Sequence, residues 1–585
     1  IRLATAIAKM LEAAGTEFCF GYNGHGNWAL LDAFVHETSV RTIAARAEDH
    51  AVHMADIYWR IKRQAPMAVV TTSVGPGNAN ITPAVATAFF ESSALLVLAG
   101  GGATQWFERG GIEEFYRYGP DEWTDSLRTM TKKSFALSRP DTALEMILRA
   151  YKTAISGRPG PVVVQLPFDI QHTEIELESI PDPTPWITIG RPGPDPDAIE
   201  RAADLIAAAE RPLLSVSSGI HNARAWDELR QLAERFSIPV ETAVPGKGAL
   251  PEDHPLSLGC VGRAGTGQAN QAAGECDVLV GIGTRFGDID TGGWTVHQIP
   301  GPTKLVHVDI DSGELARVYP TDVAIVSDAR LAIQALIGAL EGRRQADRRP
   351  WLQHLDGLRS KWEQEVEPMR TSESSKMNYA RVFADASAVI QETDPQASVL
   401  FDTGHSLSFG PAFLHASSHH VIHSSFFHRM GWSVPGLIGA RLANPGHPAL
   451  AFVGDGSFMM TGSALATAFE LGLGMGFVVF NNCSLQIERE LMMKTYGRVA
   501  LTDYVTVEDG RPWSPDYVAW ARAMGGDGIK VSAPGEIREA VRRALTSGGP
   551  FVVDVDIDAE APGYRSAPYK YPSDFGERGL ARPPF

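Results

Sequence analysis

The chain has few of the features that mark secreted, membrane-spanning or nucleic-acid-binding proteins. Its 585 residues hold only four cysteines, widely spaced and without a CxxC pair, so we expect no disulfide framework and a reducing cytoplasm. No apolar run reaches the ~18 residues of a membrane span. Acidic residues outnumber basic ones by 69 to 52, and the net charge of −17 disfavours a nucleic-acid or anionic-membrane partner. No GxGxxG turn is followed by an acid ~20 residues on, which disfavours a plain NAD dehydrogenase.

What the chain contains is a repeated alternation of apolar runs and amphipathic stretches. Apolar content is 44% and charged content 21%, as in soluble globular proteins, and the length suggests roughly three domains. The alternation predicts parallel-sheet α/β domains. Predicted strands are FCFGY, MAVVTTSV, ALLVLAG and PVVVQLP in the first third, RPLLSVSSG, SIPVETA, DVLVGIG and TKLVHVDID in the middle, and ASVLFDTG, ALAFVGDG, MGFVVFNN and PFVVDVDID in the last.

Changes of composition suggest where the domains end. Residues 173–196 are rich in proline and polar residues and read as a linker. The charged helical stretch after Leu340 reads as an exposed connector with solvated arginines. We therefore predict domains at residues 1–172, 190–345 and 375–560. A tail at 561–585 is expected to wrap over a neighbouring surface.

The most informative stretch runs from Gly454 to Asn482. It places GDG at the end of one predicted strand and, 24 residues later, NN at the end of the next. The carboxyl ends of parallel strands meet at the edge of a sheet where α/β proteins bind ligands. The oxygens of Asp455 and Asn482 are hard donors suited to Mg²⁺, which usually completes its shell with phosphate oxygens.

GDG, the 24-residue interval and NN resemble the diphosphate-binding signature of thiamin diphosphate (ThDP) enzymes. The resemblance covers nearly the whole chain and is strongest to the acetolactate synthase-like group, which includes acetohydroxyacid synthases, 2-oxo acid decarboxylases and benzaldehyde lyase. It implies a pyrimidine-binding domain, a central Rossmann-like domain and a diphosphate-binding domain. It also implies the backbone carbonyl of Ser484 as a third metal ligand. Gly456 and Ser457 would donate N–H groups to the diphosphate at a helix N-terminus.

The segment RAEDHAVHMADIYWR resembles the family stretch that carries the activating glutamate, with Glu48 at that position. A buried carboxyl group there would hydrogen-bond the cofactor's aminopyrimidine. Ala47 and Ile57 replace the family's usual histidine and glycine. The alternative is a helix-face glutamate paired with Arg46.

Further cofactor contacts follow from the same resemblance. The GPG turn in TTSVGPGNAN lies 27 residues after Glu48 and permits close backbone approach. Met430, 25 residues before Asp455, matches the bulky prop under the cofactor, with a core methionine as the alternative. The candidate cofactor-binding residues are Gly24, Gly75, Pro76, Asn80, Gly404, His405, Met430, Gly454, Gly456, Ser457 and Ile487.

The middle third resembles the acetolactate synthase stretches that line a flavin site. SIPVETAVPGKGALPEDHPLSLGCVGRAGTGQAN and DVLVGIGTRFGDIDTGGW carry this likeness, with Arg285 on the first arginine of the second motif. Related enzymes have similar sequences in this region but bind no flavin. Bound FAD, structural rather than redox-active, is thus one of two open alternatives.

The substrate positions depart from acetolactate synthase. After NN, Gln486 replaces the usual glycine and Leu491 the tryptophan, while Ile487-Glu488 resembles the IE pair of 2-oxo acid decarboxylases. The family's AFQE aligns with residues 111–114, which read GIEE. His25, in GYNGHGN, occupies a loop position that points at the substrate in relatives, and a histidine there can act as acid or base. The alternative is a loop histidine with a backbone hydrogen bond.

The resemblance implies a ThDP- and Mg²⁺-dependent lyase or carboligase. Its substrate would be a 2-oxo acid or 2-hydroxy ketone, processed through a C2 ylide and an enamine, with Glu48, His25, Gln486 and Glu488 as catalytic candidates. Acetolactate synthase proper, cleavage of an activated diketone, and a protein that binds ThDP without turnover are the alternatives. A homodimer or homotetramer is implied, because family active sites lie at the dimer interface.

Overall fold

The computed structural model describes residues 1–113 and 122–567. They form three six-stranded sheets in which every neighbouring pair of strands is parallel. The predicted fold class, three parallel-sheet α/β domains, is confirmed.

Each sheet takes its strands from one third of the chain. The first contains β1 (Phe18–Gly21), β2 (Arg41–Ala44), β3 (Val69–Thr72), β4 (Leu95–Gly101), β5 (Lys133–Ala136) and β6 (Pro161–Pro167). The second contains β7 (Pro212–Val216), β8 (Val240–Thr242), β9 (Ser257–Cys260), β10 (Val278–Ile282), β11 (Lys304–Asp309) and β12 (Val323–Val326). The third contains β13 (Ser398–Phe401), β14 (Val421–His423), β15 (Ala449–Gly454), β16 (Met475–Asn481), β17 (Asp527–Val531) and β18 (Pro550–Asp556).

Helices connect the strands. In the first third they are α1 (Leu3–Ala13), α2 (Trp28–Glu37), α3 (Glu48–Lys62), α4 (Pro76–Asn80), α5 (Thr82–Phe90), α6 (Glu122–Ser126), α7 (Ala143–Ile155), α8 (Phe168–His172) and α9 (Thr184–Ile187). The middle third has α10 (Pro196–Ala208), α11 (Ser218–Ala223), α12 (Trp226–Phe236), α13 (Gly267–Glu275), α14 (Ala329–Leu340) and α15 (Arg349–Arg370). The last third has α16 (Tyr379–Thr393), α17 (His405–Phe413), α18 (Ser433–Ala443), α19 (Asp455–Thr461), α20 (Ala464–Glu470), α21 (Gln486–Tyr496), α22 (Tyr517–Ala523) and α23 (Ile537–Thr546).

Local chemistry fixes where several helices begin. Asp195 precedes α10 and accepts a hydrogen bond from the backbone N–H of Asp197, and Pro196 fills the first helical position. Asp328 caps α14 in the same way, and Asn378 caps α16. Such caps satisfy backbone donors that have no partner within the helix.

All three sheets reverse their strand order at one point. The orders are β2-β1-β3-β4-β6-β5, β12-β11-β10-β7-β8-β9 and β14-β13-β15-β16-β18-β17. The reversal lies between β1 and β3, between β7 and β10, and between β13 and β15. Crevices outside the carboxyl ends of such strand pairs are where open α/β sheets bind ligands.

The strand prediction succeeded inside the sheets and failed at their edges. The four inner strands of each sheet were predicted, and the six edge strands, β2, β5, β9, β12, β14 and β17, were not. Four of these edge strands expose some of their residues, and the others, β9 and β14, have four and three residues. They therefore lack the long apolar run that marks a buried parallel strand.

The chain divides into two compact units. The amino-terminal unit comprises Ile1–Gly190, Phe426–Gly446 and Thr461–Leu473, and the carboxy-terminal unit comprises the rest. Within the amino-terminal unit, α18 lies directly on α3. A Cβ added to Gly439 would lie 2.0 Å from the carbonyl oxygen of Met54, so the two helix backbones approach too closely for any side chain there.

The segment after Leu340 is helical but is not the exposed connector that was predicted. α15 buries Trp351, Leu355, Leu358, Trp362 and Val366. The guanidinium of Arg348 is buried as well and donates to the carbonyl oxygens of Ile206 and Phe236. None of the helices in the described part of the chain is long and apolar enough to cross a membrane.

Candidate active site

Asp455, Asn482 and Ser484 form one hydrogen-bonded cluster in the carboxy-terminal unit. Asp455 follows β15, Asn482 follows the neighbouring β16, and parallel pairing brings both to the same sheet edge. Asp455 Oδ2 accepts hydrogen bonds from the backbone N–H groups of Asn482 (3.2 Å) and Ser484 (3.3 Å). The amide nitrogen of Asn482 donates to Tyr379 Oη at 2.8 Å, which leaves its oxygen facing Ser484. The three predicted metal ligands thus lie together.

The electrostatics of this cluster suit a divalent cation. Asp455 is 2% exposed, and burial raises its pKa to about 6, although hydrogen bonds from backbone N–H groups lower it in part. A cation would supply the charge that stabilises the ionised form. Asp455 and Asn482 bring a carboxylate and an amide oxygen together, and Mg²⁺ takes oxygen donors of this kind. Within residues 1–113 and 122–567, no three His, Cys, Asp or Glu side chains gather as a closed zinc site would require.

Open space lies beside Gly404 and Gly454 at the order reversal of the third sheet. Gly404, after β13, has φ +95°, and a Cβ added there or at Gly454 would meet no described atom within 4 Å. α17 and α19 begin at the next residues and direct backbone N–H groups toward this crevice. The N–H of Gly456 is already bonded to Asp455 Oδ1 at 2.7 Å, and Ser457 is buried.

His405, at the start of α17, is held by a glutamate that the sequence did not single out. Its Nε2 lies 3.4 Å from Glu490 Oε2. Glu490 also accepts the backbone N–H of Gly563 at 2.9 Å and pairs with Arg565 at 2.7 Å. Burial would raise the pKa of Glu490, but the bonds from His405 and Gly563 and the charge of Arg565 outweigh it and lower the pKa to about 2. The described part of the tail is thus anchored on α21 and α17.

The catalytic candidates at the start of α21 have different surroundings. The amide of Gln486 is engaged inside the loop, where it accepts from Ser484 Oγ (2.9 Å) and donates to the carbonyl of Ala559 (2.5 Å). Glu488 is exposed and Ile487 is half-buried. Gln486 therefore supports the loop that carries Ser484, and Glu488 offers an accessible carboxylate.

Glu48 begins α3 in the amino-terminal unit and is 9% exposed. Its Oε2 accepts a hydrogen bond from Asn80 Nδ2 at 3.0 Å. Its Oε1 lies 3.1 Å from where a Cβ on Gly77 would stand, so the GPG turn leaves the carboxylate just enough room. Arg46, the alternative partner, pairs with Glu470 instead.

Met430 is tied to the same helix through its neighbour. Arg429 forms an ion pair with Asp49 of α3 and donates to the carbonyl oxygen of Met430 at 2.7 Å. Met430 itself is half-buried. The segment before α18 is therefore fixed against the helix that carries Glu48.

Two glycine-containing loops meet at the order reversal of the first sheet. Ser73, after β3, packs on Gly24, where an added Cβ would lie 2.3 Å from Ser73 Oγ. Gly75, in the left-handed region at φ +59°, would place a Cβ 2.1 Å from the carbonyl oxygen of Glu113, and Pro76 begins α4. His25 lies in the same loop as Gly24, after β1, and its Nδ1 is 3.5 Å from Glu113 Oε2. Glu114, the other acid of the GIEE segment, lies outside the described residues.

Arg285 follows β10 at the order reversal of the second sheet. It is half-buried, and its carbonyl oxygen accepts from Arg317 Nη2 at 3.2 Å. Across the reversal, Gly219 and Gly283 touch, since a Cβ added to Gly219 would lie 2.4 Å from the Cα of Gly283. Arg285 therefore lies at the kind of position where open α/β sheets bind ligands.

Sequence reasoning missed three residues that the fold places at these sites: Tyr379, Glu490 and Glu113. Tyr379 has no signal, because its contact with Asn482 spans 103 positions. Glu490 lies two residues beyond the predicted Glu488 on the same helix, and only the docked tail shows which carboxylate is engaged. Glu113 occupies the position of the family's glutamine. The sequence showed this replacement but gave no sign of the residue that Glu113 contacts.

Comparison with known proteins agrees with this architecture. Three family models match: the N-terminal TPP binding domain of thiamine pyrophosphate enzymes at residues 1–119, their central domain at 199–336 and their C-terminal TPP binding domain at 402–555. The chain therefore belongs to the thiamine pyrophosphate enzymes, where thiamine pyrophosphate is another name for ThDP.

Similarity to individual proteins narrows this class. The chain is 33% identical over 569 residues to a probable acetolactate synthase large subunit of Methanocaldococcus jannaschii, covering 95% of this chain and 92% of that protein. It is 30% identical to the corresponding protein of Methanococcus aeolicus, with the same coverage. It is 29% identical to the acetolactate synthase large subunit of Haemophilus influenzae, covering 95% and 94%. Within its class it is an acetolactate synthase-like enzyme.

Proposed function

We propose that the protein is a Mg²⁺-dependent ThDP lyase or carboligase that acts on a 2-oxo acid or a 2-hydroxy ketone. The observation that carries this proposal is the buried cluster of Asp455, Asn482 and Ser484 beside the open crevice at Gly404 and Gly454. When bound, ThDP supplies the nucleophilic carbon and the electron sink for breaking or forming a C–C bond.

The chain's own residues hold the cofactor's two ends in this proposal. Asp455, Asn482 and the carbonyl of Ser484 would hold Mg²⁺, and the helix N-termini beside Gly404 and Gly454 would face the diphosphate. Glu48 would hold a proton at the aminopyrimidine, where its burial against Gly77 excludes water. Met430 would support the cofactor from the segment fixed on α3. Gln486 would keep the metal loop in shape, and Glu488 would reach the substrate.

Acetolactate synthase proper, which joins two pyruvates with loss of CO₂, is the second candidate. The names of the relatives, all acetolactate synthase large subunits, favour it. The substrate positions favour a different acceptor or donor, since Gln486, Leu491 and Glu113 replace a glycine, a tryptophan and a glutamine of the synthase pattern. The two candidates share every cofactor contact and differ in the substrate alone.

A homodimer, or a homotetramer built from two dimers, is the proposed assembly. In it, Glu48 of one chain would serve the cofactor held by Asp455 of the other. Both compact units expose apolar side chains that an interface would bury: Met460 of α19, in the carboxy-terminal unit, is 60% exposed, and Phe469 of α20, in the amino-terminal unit, is 54% exposed. Mass measurement in solution tests the assembly, and a monomer with full activity would contradict it.

FAD in the second sheet's crevice is proposed on the position of Arg285 at the order reversal. Release of a yellow chromophore with flavin absorption on denaturation would support it, and a colourless, fully active preparation would overturn it.

We also propose the domain limits 1–172, 190–345 and 375–560, because each range encloses one complete sheet. The cytoplasm is the proposed location because all four cysteines are free.

Product analysis tests the function directly. Purified protein with ThDP and Mg²⁺ is given pyruvate, larger 2-oxo acids and 2-hydroxy ketones in parallel, and CO₂, aldehydes and carboligation products are measured. Acetolactate from pyruvate as the main product would establish the second candidate. Turnover of bulkier acids or hydroxy ketones with little reaction of pyruvate would support the first. No turnover of any of them would contradict both.

A further inference from the structure

The loop of residues 483–485, the metal loop, is paired with a segment further along the chain. Two backbone hydrogen bonds, each 2.8 Å long, flank Ser484: from the N–H of Leu485 to the carbonyl oxygen of Thr502, and from the N–H of Tyr504 to the carbonyl oxygen of Cys483. Ser484 itself faces Asp503 in an antiparallel bridge. The backbone on both sides of Ser484 is therefore held by this segment.

The segment is one strand of a two-stranded ribbon, residues 502–513. A second antiparallel bridge, between Val505 and Pro512, closes the ribbon. The chain then reaches Ser514, whose hydroxyl oxygen accepts a hydrogen bond from the side-chain amide of Asn481 at 3.0 Å. Asn481 is the last residue of β16. The end of β16, the metal loop and the ribbon are thus joined to one another by hydrogen bonds.

The metal loop needs this support because its backbone is strained. Cys483 has φ +57°, in the left-handed region that residues with a side chain rarely adopt. Backbone strain of this kind persists only where surrounding contacts hold it. The carbonyl oxygen of Cys483 accepts the N–H of Tyr504, so the ribbon acts directly on the strained residue.

An ion pair fastens the ribbon to the helix that follows the metal loop. Asp503 Oδ1 lies 3.1 Å from Arg489 Nε on α21, and Arg489 Nη2 lies 2.9 Å from Glu560 Oε1. The side chains of Arg489 and Asp503 are 21% and 35% exposed. α21 begins at Gln486, directly after the metal loop. The pair therefore ties the ribbon to the chain on the far side of the loop.

We propose that the ribbon holds the metal loop in the conformation that binds Mg²⁺, and that Asp503 is the positioning residue that fastens the ribbon there through Arg489. The inference rests on the proposed ThDP function and adds to it the element that sets the metal affinity. Asp503 acts through Arg489 and the backbone of the metal loop.

Thiol labelling of the cofactor-free chain tests the positioning role. Cys483 is half-buried and the other three cysteines are buried, so a disulfide reagent should react first with Cys483. Cys483→Ser identifies its signal. In Asp503→Ala we expect labelling to be about two- to fivefold faster, the fold-change that corresponds to a partly exposed ion pair. Glu508→Ala, which removes an exposed acid from the tip of the ribbon, should label as wild type. Equal rates in Asp503→Ala and wild type would overturn the proposal.

Variants of Arg489 separate this contact from a general loss of stability. Arg489→Ala should accelerate labelling of Cys483, and Arg489→Lys should accelerate it less, because lysine keeps a cation opposite Asp503. The double variant with Asp503→Ala should label no faster than Arg489→Ala alone, since the two residues act through one contact. Accelerations that add in the double variant would overturn the pairing.

Calorimetric titration of ThDP at a series of Mg²⁺ concentrations tests the effect on the metal. In Asp503→Ala the Mg²⁺ concentration for half-maximal binding should rise about two- to fivefold. At saturating Mg²⁺, kcat for the best 2-oxo acid or 2-hydroxy ketone should return to the wild-type value, because a fully loaded site no longer depends on the ion pair. A kcat that stays low at saturating Mg²⁺ would overturn the assignment. If neither protein binds ThDP while labelling of Cys483 still responds to Asp503, the ThDP function has failed and the ribbon's hold on the loop stands.

Discussion

The side-chain amide of Asn80 donates a 3.0 Å hydrogen bond to the carboxylate of Glu48. The two residues are 32 positions apart, and the GPG turn that begins α4 brings them together. Glu48 has no cationic partner among residues 1–113 and 122–567, because the nearby Arg46 pairs with Glu470, so the contact with Asn80 is what fixes its rotamer. A carboxyl group held in this way can exchange a proton with a ligand instead of being locked in an ion pair.

Glu48→Gln should abolish activation of the cofactor while leaving cofactor binding intact. Glutamine keeps the shape and the bond to Asn80 but cannot carry the proton, and general acid–base catalysis is worth about 100-fold or more. The measurement is exchange of the cofactor's C2 proton by NMR, with cofactor affinity by calorimetry. Glu145→Gln, an exposed change on α7, is the control. Exchange at the wild-type rate in Glu48→Gln would remove Glu48 from its role.

Asp455→Ala should remove Mg²⁺-dependent binding of ThDP. Residues that merely support a metal ligand are worth about 10- to 100-fold in affinity, so loss of a ligand should cost at least as much. Calorimetric titration of ThDP with and without Mg²⁺ measures the effect. Asp253→Ala changes an exposed carboxylate in the same unit and should bind as wild type. Equal affinities for all three proteins would disprove the metal site.

Glu490→Gln should destabilise the protein at neutral pH and lose this effect in acid. The pKa of Glu490 is lowered to about 2, below its ordinary 4.5, so the folded state binds the proton less tightly than the unfolded state. The stabilisation is therefore complete above about pH 4.5 and is lost as the pH falls toward 2. Unfolding temperatures of both proteins across this range give the difference.

Glu488→Gln is the matched control for that experiment, because it removes an exposed charge from the same helix. It should shift the unfolding temperature little at any pH. If the unfolding temperatures of wild type and Glu490→Gln differed by the same amount at every pH from 3 to 7, the lowered pKa assigned to Glu490 would be contradicted.

Gly439→Ala should destabilise the amino-terminal unit by about 1–3 kcal/mol, the usual cost of overpacking. The new Cβ would lie 2.0 Å from the carbonyl oxygen of Met54, so α18 must move away from α3. Gly357→Ala is the contrasting change, since Gly357 lies inside α15 with no described atom within 4 Å of an added Cβ. It should stabilise by about 0.5–1 kcal/mol. Denaturant unfolding of both variants measures these changes. An unchanged free energy of unfolding in Gly439→Ala would disprove the tight contact between α18 and α3.

The sequence was sufficient to predict the buried inner strands, which recur in all three sheets. Inner strands such as β4 and β16 have every residue buried, so hydrophobicity alone marks them. The interval from GDG to NN spans one helical connection and one strand, which forces Asp455 and Asn482 to the same edge of neighbouring strands. The same interval shows, from the sequence alone, which strand end carries Asp455 and which carries Asn482.

Tertiary structure decided what depends on contacts between distant segments. Edge strands such as β5 and β12 carry exposed residues, and only pairing with a neighbour makes them strands. The partner of Glu48, the docking of α18 on α3, the engagement of Glu490 by the tail and the pairing of His25 with Glu113 all join residues far apart in sequence. No local pattern encodes such contacts, because they depend on how loops of irregular backbone fold over the sheet edges. The sequence therefore determined the sheets and the metal-site motif, and the tertiary structure determined which side chains face one another around them.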